Sequence, residues 1–377
     1  MQFSLTSMIL SFAVLGVSCS PRTSTPSGCL SVRASGGSSG EYASLGAAVA
    51  ALGSGSTSST ACIFMYPGTY EEQVVINAYK GALTLYGYST DTSSYAGNQV
   101  TIKHSENSTV AGSDEASSTV DARGTNFKMY NIDVENSFVG SQAIAFTSRG
   151  DQQSFYGCGF YGYQGKFACG RRSRLRGDDS YVHAPQILTF LSDTLFAHSG
   201  NQYYKKCLIQ GAVDYIFGDA SAWFEQCTIR STSGGAITAM HRATTSETTW
   251  YVINNSTIEA AAGYTATGGV YLGRPWGVDA RVIYQYCSLS NIINSHGWNT
   301  MAPSATPYVR CHPLPIIQPE RSLMLTSRIP LSRTFMEYSN RGAGATTTAR
   351  QFETEATAAV GLSDLFPAGS AWIDHTY

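Results

Sequence analysis

Four stretches of this chain share one pattern, and the pattern admits few folds. They are "FYGCGFYG" from Phe155, "YYKKCLIQG" from Tyr203, "WFEQCTIRS" from Trp223 and "IYQYCSLSN" from Ile283. Aromatic or aliphatic residues precede each cysteine, and alternating apolar residues follow it. "MYNIDVENS" from Met129 and "VINNSTIEA" from Val252 are looser copies. Cys207 and Cys227 stand 20 residues apart, and Cys227 and Cys287 stand 60 apart, which suggests a period near twenty. Short strands at a fixed spacing, with no helices between them, predict an all-β solenoid of stacked coils. Such stacking sets equivalent residues about 4.8 Å apart. Cys158, Cys207 and Cys227 then become neighbours, either with a disulfide between two of them or as a buried ladder of thiols.

The spacing breaks once. Cys158 to Cys207 is 49 residues, and removing Gly165 through Ser192, 28 residues, leaves 21. That segment packs Lys166, Arg171, Arg172, Arg174 and Arg176 together in a chain with only 13% charged residues. A second basic interruption, "YVRCHPLPIIQPERSLMLTSRIPLSR", spans Tyr308 to Arg333. Both back-translate with an ordered intron donor, branch and acceptor; in the first, "GKF" permits GTAAGT, "ILT" permits CTAAC and "SD" permits CAG. Segments 165–192 and 308–333 therefore read as translated introns interrupting one domain, 21–377. They hold nine of the 24 cations and three of the 26 acids, so without them the formal charge falls from −2 to −8. A basic patch confined to them gives no support for a nucleic-acid partner.

The first twenty residues, "MQFSLTSMILSFAVLGVSCS", carry no charge and have a short apolar centre. They read as a secretory signal peptide, 1–20. No later segment is long and apolar enough to be a spanning helix. An extracellular destination follows, where disulfides are permitted.

Chemistry concentrates in "IQGAVDYIFG", Ile209 to Gly218, which places Asp214 in an apolar strand. An unpaired carboxylate is costly to bury, so a partner is required. "YLGRPWG", Tyr271 to Gly277, offers a cation at Arg274 and an aromatic face at Trp276. With "PGTYEEQV" at 67, "SQAIAF" at 141, "FYGYQ" at 160 and "DTLFAHSGNQYYKKC" at 193, these pieces are in the right order to resemble a fungal secreted pectin methylesterase (pectinesterase). The resemblance covers residues 28–307 and 334–377.

The resemblance implies a right-handed, single-stranded parallel β-helix with a cleft for methylated homogalacturonan. It makes Asp214 the nucleophile and Asp193 the general acid/base. Gln142 and Gln164 would stabilise the oxyanion, Arg274 would hold Asp214, and Trp276, Tyr215 and Phe217 would bind sugar. It implies a monomer with no cofactor and no metal. Arg274 should lower the pKa of Asp214 and keep it ionised for attack. Asp193, beside another acid, should have a raised pKa suited to protonating departing methanol.

Two other readings compete. "GGSSG", Gly36 to Gly40, matches the G-x-S-x-G pattern of serine hydrolases between a strand-like and a helix-like segment. A secreted pectin-binding β-helix without turnover is the other, because the first insertion separates Gln164 from Asp193. Neither the acid-and-His set of a polygalacturonase nor the acidic calcium set of a pectate lyase is present in the sequence.

Overall fold

The repeats fold as short strands joined by a sharp corner, and each corner passes through a left-handed residue. Asn131, Gly157, Lys206, Gln226, Asn255 and Tyr286 all have φ between 46° and 57°. Each donates its N–H to the next coil, as Gly157 does to Lys205 O at 2.9 Å and Lys206 to Glu225 O at 2.9 Å. Immediately after five of these corners comes a small residue, Cys158, Cys207, Cys227, Ser256 or Cys287, and after Asn131 comes the buried Ile132.

The computed structural model describes residues 20–35, 37–77, 79–162, 166–174, 181–189, 193–301 and 333–377. Three sheets of 11, 8 and 7 parallel strands wind into a right-handed parallel β-helix. The seven-stranded sheet carries the cleft, and its strands are labelled here in chain order. They are β1 (Val74–Ile76), β2 (Val120–Ala122), β3 (Phe146–Ser148), β4 (Leu195–Ala197), β5 (Ile216–Gly218), β6 (Gly235–Met240) and β7 (Val270–Pro275). Successive residues of a strand face opposite ways. Val74, Val120, Phe146, Leu195 and Ile216 align in one row and fill the core. The opposite row runs Val75, Asp121, Thr147, Phe196, Phe217, Ala239 and Arg274.

Aromatic rings stack along the axis at the strand spacing. Phe155, Tyr204 and Phe224 share one register position, with successive centroids 4.7 Å apart. Tyr86, Tyr130 and Tyr156 form a second stack at 5.2 and 4.6 Å. The carboxyl-terminal tail closes over it: Tyr377 lies 5.1 Å from Tyr156, and Asp374 N–H donates to Tyr156 Oη at 2.5 Å. At the other end, the helix Leu45–Leu52 buries Leu45, Ala48 and Val49, and Ser44 Oγ caps it. A Cys29–Cys62 disulfide lies beside it.

The structure corrects the period. Cys227 donates its N–H to Ser256 Oγ, 29 residues on, so the 60-residue interval to Cys287 spans two unequal coils. Residues 241–250, between β6 and the strand Tyr251–Asn254, take up the extra length of the first. The thiol ladder forms and the alternative disulfide does not: Cys158, Cys207, Cys227 and Cys287 are free and buried. Lys166–Arg174 pairs antiparallel with Tyr181–Thr189, and this hairpin joins none of the three sheets. Most of 308–333 and residues 1–19 lie outside the described residues.

Burial pushes the Cys158 and Cys207 thiols well up and that of Cys287 to about 12. The thiolate is the reactive form, so these groups are inert in the native state. Alkylation followed by peptide mapping should leave Cys158, Cys207, Cys227 and Cys287 unmodified in buffer and modify all four in denaturant. Native labelling of any of them would show that its corner opens.

Candidate active site

Asp214 lies in the bend between the strand Leu208–Gly211 and β5, where the sequence pattern had suggested a strand. Its φ is 53°, a left-handed conformation uncommon outside glycine, and its N–H donates to Ala236 O at 2.7 Å. Gly211 makes the bend feasible, because a Cβ there would collide with Tyr215 Cβ and Thr194 Oγ1. Asp214 is 7% exposed. Arg274, on β7, grips it with a two-pronged fork: Nε reaches Oδ1 at 2.9 Å and Nη2 reaches Oδ2 at 2.5 Å. Bidentate pairing of this kind fixes the carboxylate's orientation as well as its charge.

Asp193 stands two residues before Leu195, as Asp214 stands two before Ile216, and Leu195 pairs with Ile216. The two acids are thus equivalent positions of adjacent coils, one strand spacing apart. Asp193 is 3% exposed, and Gln142 Nε2 donates to its Oδ2 at 2.9 Å. Around them the cleft, about 190 Å³, is lined by Asp114, Gln142, Phe217, Ala239, Arg274, Trp276 and Met301. Phe217 stacks on Phe196 at 4.3 Å, and Trp276, 45% exposed, tilts beside Phe217 at 6.1 Å.

The structure thus brings together Asp214, Asp193, Gln142, Arg274, Trp276 and Phe217. Tyr215 does not join them. It is fully buried, with its hydroxyl 2.8 Å from Ser231 Oγ, because it belongs to the bend at Asp214 and precedes the alternation that begins with Ile216. Gln164 lies outside the described residues. Asp114 was not visible from sequence: it lies in "VAGSDEASS", which has no periodicity and reaches the cleft only through the fold. Phe196 and Ala239 were legible in principle, as register partners of Phe217. Ser38 of the "GGSSG" turn is exposed, and its backbone N–H donates to Glu41 Oε2 at 2.8 Å. Neither Ser38 nor Glu41 lines the cleft that holds the two aspartates. Among the described residues, no cluster of three His, Cys, Asp or Glu has the arrangement of a metal site.

Electrostatics separate the two acids. Burial drives Asp193 well above the ordinary carboxylate range, Asp214 and Asp114 push it further, and the Gln142 bond and Arg274 only partly offset this. The expectation that Arg274 would bring Asp214 below its ordinary value is not met. Burial raises it, and the Arg274 hydrogen bonds and charge pull it back part of the way. Asp214 has the cation as direct partner and Asp193 does not, so burial favours the protonated form more strongly at Asp193 than at Asp214.

A pectinesterase family model matches residues 31–173 and 172–309, so the two matches meet within the hairpin segment and the second stops at the start of 308–333. The chain is 45% identical to a probable pectinesterase A of Neosartorya fischeri, over 99% of each. It is 44% identical to pectinesterase A of Emericella nidulans, over 96% of this chain and 95% of that one. The crystal structure of the pectin methylesterase from Aspergillus niger superposes with a TM-score of 0.75 at 44% identity, covering 95% of this chain and 100% of that one.

A carboxyl whose pKa is raised on folding binds more protons in the native state. Stability contributed by Asp193 therefore falls as pH rises from the unfolded pKa towards the folded one. Asp193→Asn removes that loss while keeping an acceptor for Gln142. Its Tm should exceed that of the parent at pH 7, with the difference shrinking towards pH 4. A lower Tm for the variant at pH 7 would mean that Asp193 is ionised in the native protein.

Proposed function

The chain belongs to the pectinesterase family and hydrolyses the methyl esters of pectin to pectate and methanol, and from this we propose that Asp214 is its nucleophile and Asp193 its general acid and base. The observation that carries the assignment is the Arg274 fork, which orients one buried carboxylate beside a second that burial pushes well above the ordinary carboxylate range. Asp214 attacks the ester carbonyl carbon, and the carbonyl oxygen becomes an oxyanion. Gln142 bonds Asp193 through one amide hydrogen, and the other is available to the oxyanion. We assign Gln164 the same duty from the motif alone. As the tetrahedral species collapses, Asp193 gives its proton to the leaving methoxide, and methanol departs from an acyl anhydride with Asp214. Asp193, now ionised, takes a proton from water as that water attacks the acyl carbon. Galacturonate and both original aspartates result.

Trp276 and the Phe196–Phe217 pair supply the flat faces on which sugar rings rest. Every described group of the mechanism comes from one chain, which supports a monomer acting alone. The uncharged apolar amino terminus supports a leader over 1–20 and an extracellular enzyme. The hairpin outside the three sheets and the split in the family match support segments 165–192 and 308–333 as additions to a β-helix complete without them.

Asp214→Asn should reduce methanol release from methylated pectin by about a thousandfold or more while leaving the fold intact, the scale seen when an acyl-transfer nucleophile is lost. Retention of most of the activity would overturn the assignment. A chain lacking 165–192 and 308–333 should be better secreted and more active than the full chain. Displacing a catalytic group by about 1 Å can cost roughly a hundredfold. Equal activity of the two forms would make the segments native loops.

A further inference from the structure

A second cavity, of about 430 Å³, lies beside the 11-stranded sheet, where the amino-terminal segment meets the carboxyl-terminal tail. Arg22, Tyr86, Tyr130, Asp374 and Tyr377 line it. Its volume suits one or two sugar rings. The Arg22 guanidinium lies over the Tyr86 ring at 4.7 Å and the Tyr130 ring at 5.4 Å. Its backbone is pinned to Ser89, with Arg22 N–H to Ser89 O at 2.8 Å and Ser89 N–H to Arg22 O at 3.0 Å. The cation is therefore held in place by its stem and by two rings.

Its hydrogen-bonding capacity is largely unspent. Nη1 makes two long bonds, to Gly87 O at 3.4 Å and Asn131 Oδ1 at 3.3 Å, and no described protein acceptor takes the Nε or Nη2 protons. Among the described residues, no carboxylate lies within ion-pair distance of Arg22. Asp374 shares the cavity, but its oxygens accept from Tyr130 Oη at 2.9 Å and from Thr376 N at 2.9 Å and Oγ1 at 2.6 Å. The contrast is with Arg274 in the cleft, whose fork is filled by Asp214, and with Arg350, whose fork is filled by Glu337. A guanidinium edge left open beside tyrosine faces matches a planar carboxylate carried on a sugar ring.

We propose that this cavity is a second, non-catalytic carbohydrate site that takes an unesterified uronic-acid residue of the polymer. The carboxylate sits on the Nε–Nη2 edge of Arg22, and the ring lies against Tyr86 and Tyr377. The choice of ligand class rests on the reading of pectin as substrate. The site recognises what hydrolysis leaves behind, the free acid, where the cleft recognises the ester. It keeps the enzyme on stretches it has already de-esterified.

The test is calorimetric titration of the full Asp214→Asn chain with two probes, unesterified trigalacturonate and its fully methyl-esterified counterpart. The acid trimer should show a binding event that the ester lacks. Arg22→Ala in the same background should weaken that event by about tenfold or more, the size expected of a lost charge-assisted hydrogen bond. Arg22→Lys should restore only part of it, and Tyr86→Ala should weaken it independently, which covers an Arg22 variant that folds poorly. An event untouched by both Arg22→Ala and Tyr86→Ala, or equal affinity for the two trimers, overturns the proposal. So does displacement of the trimer by inorganic sulfate at equal concentration, which would mark a simple anion site. Residual methanol release by Asp214→Asn would instead count against the nucleophile and leave this site standing.

Discussion

The left-handed corner that ends strands of the 11-stranded sheet sets the register of the solenoid. A non-glycine residue held there is disfavoured by about 1–2 kcal/mol, and several coils accept that at the same position. In return the corner N–H bonds the next coil, and the chain is redirected with every side chain in step with its neighbour above. Register of this kind is what places Asp193 over Asp214, although 20 residues of chain lie between them. A slip of one residue would turn Phe196, Phe217 and Arg274, which share the outward row of the seven-stranded sheet, away from the cleft. The precision of the site is thus borrowed from backbone geometry some distance away.

The cleft itself departs from the rule that buried charges come in matched pairs. It holds two buried carboxylates, a third half-buried at Asp114, and one arginine committed to a single acid. Equal sharing of the cation would leave both acids in similar protonation states and neither suited to both halves of an acyl transfer. Unequal sharing separates the proton affinities of two groups of the same residue type. The arrangement is unfavourable to the folded state, and the stacked rings and the long core row beside it supply the offsetting burial.

Much of this was legible in the sequence. The cysteine spacing and the alternation after it indicated stacked coils, and a solitary aspartate in an apolar run indicated a carboxylate with a partner. What escaped was whatever depends on turns between strands. The connections after Met240 and after Ala260 hid the true coil lengths. Tyr215 looked as available to substrate as Phe217, because alternation cannot be phased across a bend whose conformation is unknown. Asp114 arrives from a loop with no pattern of its own. The balance of burial against Arg274 at Asp214 also needed the structure, since sequence indicates that a partner exists but not how dry the pair is.

The tail gives the molecule an order of assembly. A solenoid can be built coil upon coil as the chain emerges during synthesis, each turn resting on the one before. Here the tyrosine stack of the early coils is covered by Tyr377, whose hydroxyl meets Asn131 some 246 positions back. The early coils therefore wait, one aromatic face bare, until Tyr377 has been made. The clasp joins coils made early to residues made more than two hundred positions later, and a chain ending before Asp374 would leave it undone.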